Sequence, residues 1–211
     1  MAYNLPIRNY TNDITEYGFQ KCEHPLASGF VLTHLHRLFR RRSQIRYEGI
    51  LHERIESTLH RLKAETSELD AIIHHLGPLK AKDLGIQKQR YEFYEGLGRK
   101  KVDANPTDAQ AHWELGVVLQ KQKKFLAAEA EFKKAIELDP ATEEFEVYYY
   151  MTLFQQAQWE ALKSSNPKFK RSQMFKTVAR AQTDPKAIDE LDSFRSDFAQ
   201  VALFIFELSI I

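Results

Sequence analysis

The sequence predicts a mainly α-helical protein, a solenoid of stacked helical hairpins preceded by a small α/β segment with short strands. Two observations lead to this fold class. From residue 84 onward, apolar residues recur at helical spacing and turn residues separate the runs. Before residue 84, aromatic and β-branched residues alternate with turn signals. We therefore expect three regions, at 1–83, 84–165 and 166–211.

Three short strands are predicted in the first region. HRLFR at 36–40 and QIRYEG at 44–49 form the first two, with a polar turn between them, and ELDAIIHHLGP at 68–78 contains the third. His74 and His75 are adjacent on this third strand and should point to opposite faces, so they cannot both bind one metal ion. We expect one of the two to be buried and hydrogen-bonded.

Helices are predicted from residue 84 to the end of the chain. The first ends at Asn105-Pro106, and the stretch 106–140 contains two more, which are joined between Lys121 and Lys124. Further helices are expected at 142–163, at 168–182 and from 185 onward. The last 11 residues, 201–211, are almost entirely apolar and should pack as a terminal helix.

Composition and charge limit the classes of protein. The chain is 43% hydrophobic and 28% charged, which is typical of a globular protein. Its net charge of +1 argues against nucleic acid as a partner, because nucleic-acid-binding proteins are usually clearly basic. The single cysteine, Cys22, excludes a disulfide framework and indicates a reducing, cytoplasmic location. We expect no signal peptide and no transmembrane segment, since the one long apolar run is too short to span a bilayer as a helix.

The pair of helices at 109–140 resembles a tetratricopeptide (TPR) repeat, a family with 34 residues per helix-turn-helix unit. The match consists of small, aromatic and proline residues at the family's spacing: Leu115, Gly116, Ala128, Phe132, Ala135 and Pro140. The family's early tryptophan falls on His112, and its tyrosine falls on Leu119. The resemblance implies a groove that binds a protein or peptide. The aromatic side chains of Tyr148, Tyr149, Tyr150 and Trp159 could line such a groove or belong to the core.

The order of motifs along the chain is similar to the C-terminal end of family 2 glycosyltransferases. These enzymes have the GT-A fold and use nucleotide-diphosphate sugars. The motifs are a strand with Arg37-Leu38-Phe39, a Y-x-G-x-x-H-E segment at 47–53, an I-x-H-x-G strand at 73–77 and a K-x-R-Y helix at 88–91. Upstream, YNLPIRNY at 3–10 resembles the strand that follows the metal-binding DxD pair.

The resemblance implies functional residues. His52 and Glu53 would be catalytic, near the donor diphosphate, and His52 would be a possible ligand of the metal ion. Arg37 and His75 would contact substrate. The alternative for His52 and Glu53 is a solvent-exposed pair. The alternative for Arg37 and its neighbouring arginines is a strand edge kept soluble by charge.

The family's nucleotide-binding half is missing from the sequence. No two aspartates are two positions apart, so there is no DxD, and there is no GxGxxG or P-loop. We therefore expect a chain that resembles the back end of such an enzyme, is inactive by itself and has no cofactor. A full-length family member would use Mn²⁺ or Mg²⁺. The alternative is a non-enzymatic TPR scaffold that binds other proteins.

Overall fold

The computed structural model describes residues 1–13, 16, 18–49, 54–80 and 84–194. These residues form two compact units, the first comprising residues 1–90 and the second beginning at residue 91. Each unit has its own buried side chains.

The first unit is built on a five-stranded mixed sheet. Strand β1 is central, with β3 antiparallel on one side and the short strands β4 and β5 parallel on the other, while β2 pairs with β3 at the edge. The strands are β1 (Ala2–Thr11), β2 (Phe19–His24), β3 (Ala27–Phe39), β4 (Thr66–Glu68) and β5 (Ile73–His75).

Two short helices cover parts of this sheet. Helix α1 (Glu56–Arg61) follows the buried Ile55. Ile55 and, within α1, Leu59 pack against Ala2 at the start of β1. Helix α2 (Gly77–Lys80) lies beside β1 near its other end, where Leu79 packs against a cluster around Tyr10. The sheet therefore has one small core at each end of β1.

The second unit consists of helices in the described part of the chain. They are α3 (Leu84–Ala104), whose first residues belong to the first unit, α4 (Ala109–Lys121), α5 (Phe125–Leu138), α6 (Glu143–Gln155), α7 (Trp159–Ser164), α8 (Lys170–Ala181) and α9 (Lys186–Asp192). Helices α4 and α5 form a hairpin, α6 packs against both, and α8 packs against α6, α7 and α9. None of the described helices combines the length and the apolar content needed to cross a membrane.

The predicted hairpin at 109–140 is confirmed. It turns at Lys123, which has a φ of 60°, and Ala128, Phe132 and Ala135 on α5 are fully buried. Gly116 on α4 faces Phe132 so closely that a Cβ atom would lie 2.6 Å from the ring. The predicted end of the first helix before Asn105-Pro106 and the predicted helix at 168–182 are also confirmed.

The predicted mainly α solenoid with short strands is wrong. The structure is α/β, because the five strands form one curled mixed sheet in which β1 has 10 residues and β3 has 13. The predicted strand at 36–40 is only the end of β3. The polar residues His34, His36 and Arg37 interrupt the apolar pattern of this strand, so its continuity is not visible in the sequence.

Other predicted elements also differ. Residues 44–49 form no strand, and only Glu48 makes a bridge, to Arg54. The stretch 142–163, predicted as one helix, is divided by a turn at Ala157, whose φ is 51°. The predicted terminal helix at 201–211 lies outside the described residues.

Candidate functional site

The segment that contains His52 and Glu53 is held at both of its flanks. Glu48 donates its backbone N–H to the carbonyl of Arg54 (2.8 Å), and Arg54 donates its own to the carbonyl of Glu48 (2.9 Å). His52 and Glu53 themselves lie outside the described residues, so their predicted catalytic role and the predicted metal contact of His52 stay predictions. The described flanking residues Glu48 and Arg54 lie beside α1.

Glu48 anchors this segment to α1. Its carboxylate accepts hydrogen bonds from the Ser57 hydroxyl (2.7 Å) and from the Arg61 guanidinium (2.6 Å). These bonds, the one from Arg61 first, lower the pKa of Glu48 from 4.5 to about 2. Glu48 is therefore ionised at neutral pH and serves as an anchor rather than as a proton donor.

Arg37 and Tyr47, which belong to two separate sequence motifs, are in contact. The Arg37 guanidinium donates to the Tyr47 hydroxyl (3.4 Å) and lies 5.9 Å from the centre of its ring. The Tyr47 ring in turn meets Phe39 edge-on at 6.2 Å. Both Arg37 and Tyr47 are exposed, so the guanidinium can bind an anion from solvent.

His36, the residue before Arg37 in β3, forms a histidine–carboxylate pair that the sequence did not reveal. His36 Nδ1 is 3.0 Å from Glu56 Oε1, and the two side chains are 17% and 39% exposed. Burial raises the pKa of Glu56, but the hydrogen bond from His36 and backbone hydrogen bonds outweigh this, so the pKa lies below its ordinary value. No spacing rule connects two residues that meet because a strand and a helix pack together.

His75 is held at the other end of the sheet. Its Nδ1 lies 2.9 Å from the side-chain oxygen of Asn9, while the Asn9 amide nitrogen donates to the Thr33 hydroxyl (2.9 Å) and to the carbonyl of Val31 (3.2 Å). The Asn9 oxygen can only accept, so His75 carries a proton on Nδ1 and its Nε2 can accept a hydrogen bond. His75 is exposed, which leaves the ring accessible to a ligand.

Gly77 makes room for the His75 ring. A Cβ atom at position 77 would lie 2.5 Å from His75 Nε2. A side chain there would displace the imidazole, which gives a physical reason for the spacing of histidine and glycine in the I-x-H-x-G motif.

His74 faces away from His75, as predicted. His74 Nδ1 is 2.9 Å from the hydroxyl of the buried Tyr10, whose ring also lies 4.5 Å from that of His24. The expectation that one histidine of the pair is buried is wrong, because both are exposed. Strand β5 has only three residues and pairs with β1, so its side chains stay open to solvent although both are hydrogen-bonded.

The two predicted substrate contacts are not brought together. Along β3, Arg37 lies between the partners of Tyr3 and Asn4 in β1, whereas His75 pairs with Asn9. At about 3.3 Å per residue, five to six residues of strand correspond to roughly 17–20 Å. Arg37 contacts Tyr47, and His75 lies at a separate position on the sheet.

Candidate metal ligands do not cluster in the described part of the chain. No group of three His, Cys, Asp or Glu side chains there could hold a metal ion. The Mn²⁺ or Mg²⁺ expected of a full-length family member stays a prediction.

The aromatic residues of α6 belong mainly to the core of the second unit. Tyr148 and Tyr150 are buried, and Tyr148 meets Trp113 edge-on at 5.5 Å. Tyr149 is half-buried, and its ring lies 5.6 Å from Lys133 Nζ. Trp159 begins α7 and packs against Phe154. Core packing thus accounts for Tyr148 and Tyr150, while Tyr149 and Trp159 remain partly open to solvent.

Comparison with known proteins adds no assignment. The chain matches no family model, and no curated protein matches it.

Proposed function

We propose that this chain is the C-terminal region of a family 2 glycosyltransferase that works with a nucleotide-diphosphate sugar in the cytoplasm. The contact between Arg37 and Tyr47 is the main support. It joins the Arg37-Leu38-Phe39 strand to the Y-x-G-x-x-H-E segment, and the two residues are ten positions apart in the sequence. Glu48 and Arg54 further support the proposal: they flank the predicted His52–Glu53 pair in the sequence, they are hydrogen-bonded to each other, and Glu48 directly follows Tyr47.

In this function His52 and Glu53 act on the reacting groups, and Arg37 contacts anionic oxygen atoms of a substrate. A guanidinium suits this task because it is always charged and presents several donors in one plane. His75, which is held by Asn9 some distance away, contacts another part of the substrate through Nε2.

The chain alone does not transfer sugar in this proposal. A GT-A site holds its divalent cation with several oxygen ligands, and the sequence has no DxD pair to supply them. One histidine and one carboxylate would bind such an ion weakly.

The test combines calorimetry with a turnover assay. The 211-residue chain and its His52→Ala variant are titrated with a panel of nucleotide sugars and Mn²⁺, alone and with the nucleotide-binding half of a family enzyme added as a separate polypeptide. We expect no turnover from the chain alone and His52-dependent turnover with the added half. Failure of every donor and every added half would contradict the proposal, as would turnover that His52→Ala leaves unchanged.

A second function, a TPR-type helical scaffold that binds a protein or peptide, has separate support. Its support is the close contact of Gly116 with Phe132 and the burial of Ala128, two positions at which the repeat pattern calls for small residues. A photoreactive amino acid at Val117 on α4 or at Lys134 on α5 can test it. Cross-linking of one defined partner from Val117 but not from Lys134 is expected, and equal labelling from both positions would argue against a specific groove.

A further inference from the structure

Positive charge is concentrated in one part of the first unit. Residues 37–61 contain seven arginines and three glutamates, a net charge of +4, whereas the whole chain has +1. Six of these arginines are exposed and form no ion pair with another described residue. We call these six the arginine surface: Arg37, Arg40, Arg41, Arg42, Arg46 and Arg54.

The backbone that carries the arginine surface is fixed by the core. Phe39 and Ile45 pack against the cluster of Ala2, Ile55 and Leu59. The hydroxyl of the buried Thr58 also donates to the carbonyl of Arg46 (3.1 Å). The guanidinium groups are therefore presented from an anchored loop, so binding costs little additional ordering of the backbone.

The described carboxylates in the same region do not neutralise this surface. Glu48 is engaged by Ser57 and Arg61, and Glu56 by His36. Repulsion among the unpaired arginines can be relieved by a ligand that carries several negative charges.

Exposed apolar side chains accompany the arginines. Leu38, next to Arg37 in β3, is 50% exposed, Tyr47 is 43% exposed and Leu62, which caps α1, is 39% exposed. All three lie near the start of β1, because Leu38 pairs with Tyr3 and α1 packs on Ala2. A nucleic acid would gain from the charges and from stacking a base on Tyr47, but not from the exposed Leu38 and Leu62.

We propose that this end of the first unit binds the surface of a membrane rich in anionic phospholipid. The arginine surface binds lipid phosphates, while Leu38, Tyr47 and Leu62 enter the interfacial region. Basic residues beside apolar ones are the combination that favours peripheral binding to anionic lipid. The variants used to test this proposal leave Arg37, the proposed substrate contact, unchanged, so membrane binding and sugar transfer can be measured separately.

Co-sedimentation of the full chain with lipid vesicles tests the proposal. We expect binding to vesicles of phosphatidylcholine with about one third phosphatidylglycerol, little binding to phosphatidylcholine alone, and weaker binding at high salt. The triple variant Arg40→Gln, Arg41→Gln, Arg42→Gln should lower the partition constant about 100-fold, because each basic residue near the membrane contributes a factor of about five. Leu38→Ser should weaken binding further.

Matched variants distinguish an effect of charge at this surface from an effect of guanidinium geometry or of charge elsewhere on the chain. Replacing the same three arginines by lysine should preserve binding, since a membrane surface responds to charge rather than to guanidinium geometry. Replacing Lys100, Lys123 and Lys186 of the second unit by glutamine should leave binding unchanged. Thermal unfolding verifies that each variant is folded.

Three results would overturn the proposal. Equal binding to neutral and anionic vesicles would show that charge does not drive binding. Unchanged binding of the glutamine triple variant would show that these three arginines do not contribute to it. Tighter binding to single-stranded RNA than to anionic vesicles at the same salt concentration would assign the arginine surface to nucleic acid instead.

Discussion

At the scale of single residues, two glycines of the second unit have opposite surroundings. A Cβ atom on Gly116 would lie 2.6 Å from the ring of the fully buried Phe132, whereas a Cβ atom on Gly96 in α3 would meet no atom within 4 Å. Position 116 requires glycine because the two helices pack closely there. Glycine at position 96 only lowers the helix propensity of α3.

Substitution by alanine should therefore change stability in opposite directions. Gly116→Ala should lower the free energy of unfolding by about 1–3 kcal/mol, because Phe132 must move in a packed core. Gly96→Ala should raise it by up to about 1 kcal/mol through helix propensity. Urea unfolding followed by tryptophan fluorescence measures both, since both tryptophans, Trp113 and Trp159, lie in the second unit. Two changes of the same sign would show that the contact with Phe132 does not control the packing.

At the scale of secondary structure, helices in both units end in the same way. After α1, α4 and α6 the chain passes through a non-glycine residue with positive φ, at Lys63 (48°), Lys123 (60°) and Ala157 (51°). At the second of these, Lys124 donates its backbone N–H to the carbonyl of Leu119 (3.0 Å), which closes the helix end. This left-handed conformation favours glycine, and a side chain adopts it at a cost.

Glycine at the turn of the hairpin should stabilise the second unit. Lys123→Gly should raise the free energy of unfolding by about 0.5–1 kcal/mol, as relief of the left-handed strain exceeds the entropy gained by the unfolded chain. Lys121→Gly, at the last residue of α4, is the matched control and should lower stability by up to about 1 kcal/mol. Thermal unfolding measures both, and a lower midpoint for Lys123→Gly would contradict the left-handed conformation at this turn.

At the scale of the whole molecule, ionised carboxylates support both units. The pKa of Glu48 in the first unit is about 2. In the second unit, hydrogen bonds from Lys124 (2.6 Å), Arg99 and Gln122 lower the pKa of Glu95 from 4.5 to about 2. Glu95 thereby joins α3 to the turn of the α4–α5 hairpin. Because these values lie below that of an unfolded chain, the carboxylates stabilise the fold above about pH 4.5, and this contribution is lost as the pH falls toward 2.

Acid should therefore destabilise the second unit through Glu95. We expect the urea midpoint of tryptophan fluorescence to fall between about pH 4.5 and 2, and Glu95→Gln to reduce that fall and to lower the midpoint at pH 7. The effect at pH 7 should not exceed about 1 kcal/mol per ion pair, because Lys124 is 48% exposed. Glu137→Gln, on a side chain that is 66% exposed, is the control and should change little. An unchanged pH dependence in Glu95→Gln would show that other groups govern acid unfolding.

Local patterns in the sequence predicted the helical hairpin correctly. The spacing of Gly116, Ala128 and Phe132 reflects contacts between two helices that are consecutive in the sequence. Such contacts can be predicted because only a short turn separates the two helices. The sheet was predicted less well, because its pairing joins distant parts of the chain. His75 meets Asn9 across 66 residues and Tyr10 meets His74 across 64, and no pattern within one segment encodes either pair.

By itself, the sequence determined the residues available for chemistry, the absence of a DxD pair and the hairpin at 109–140, because composition and helical periodicity are local properties. Only the tertiary structure decided that the fold is α/β, that Arg37 contacts Tyr47, and that His75 lies at the other end of the sheet. The physical reason is register. Hydrogen bonding between strands places each residue opposite one partner, and a shift by a single residue would turn every side chain to the other face.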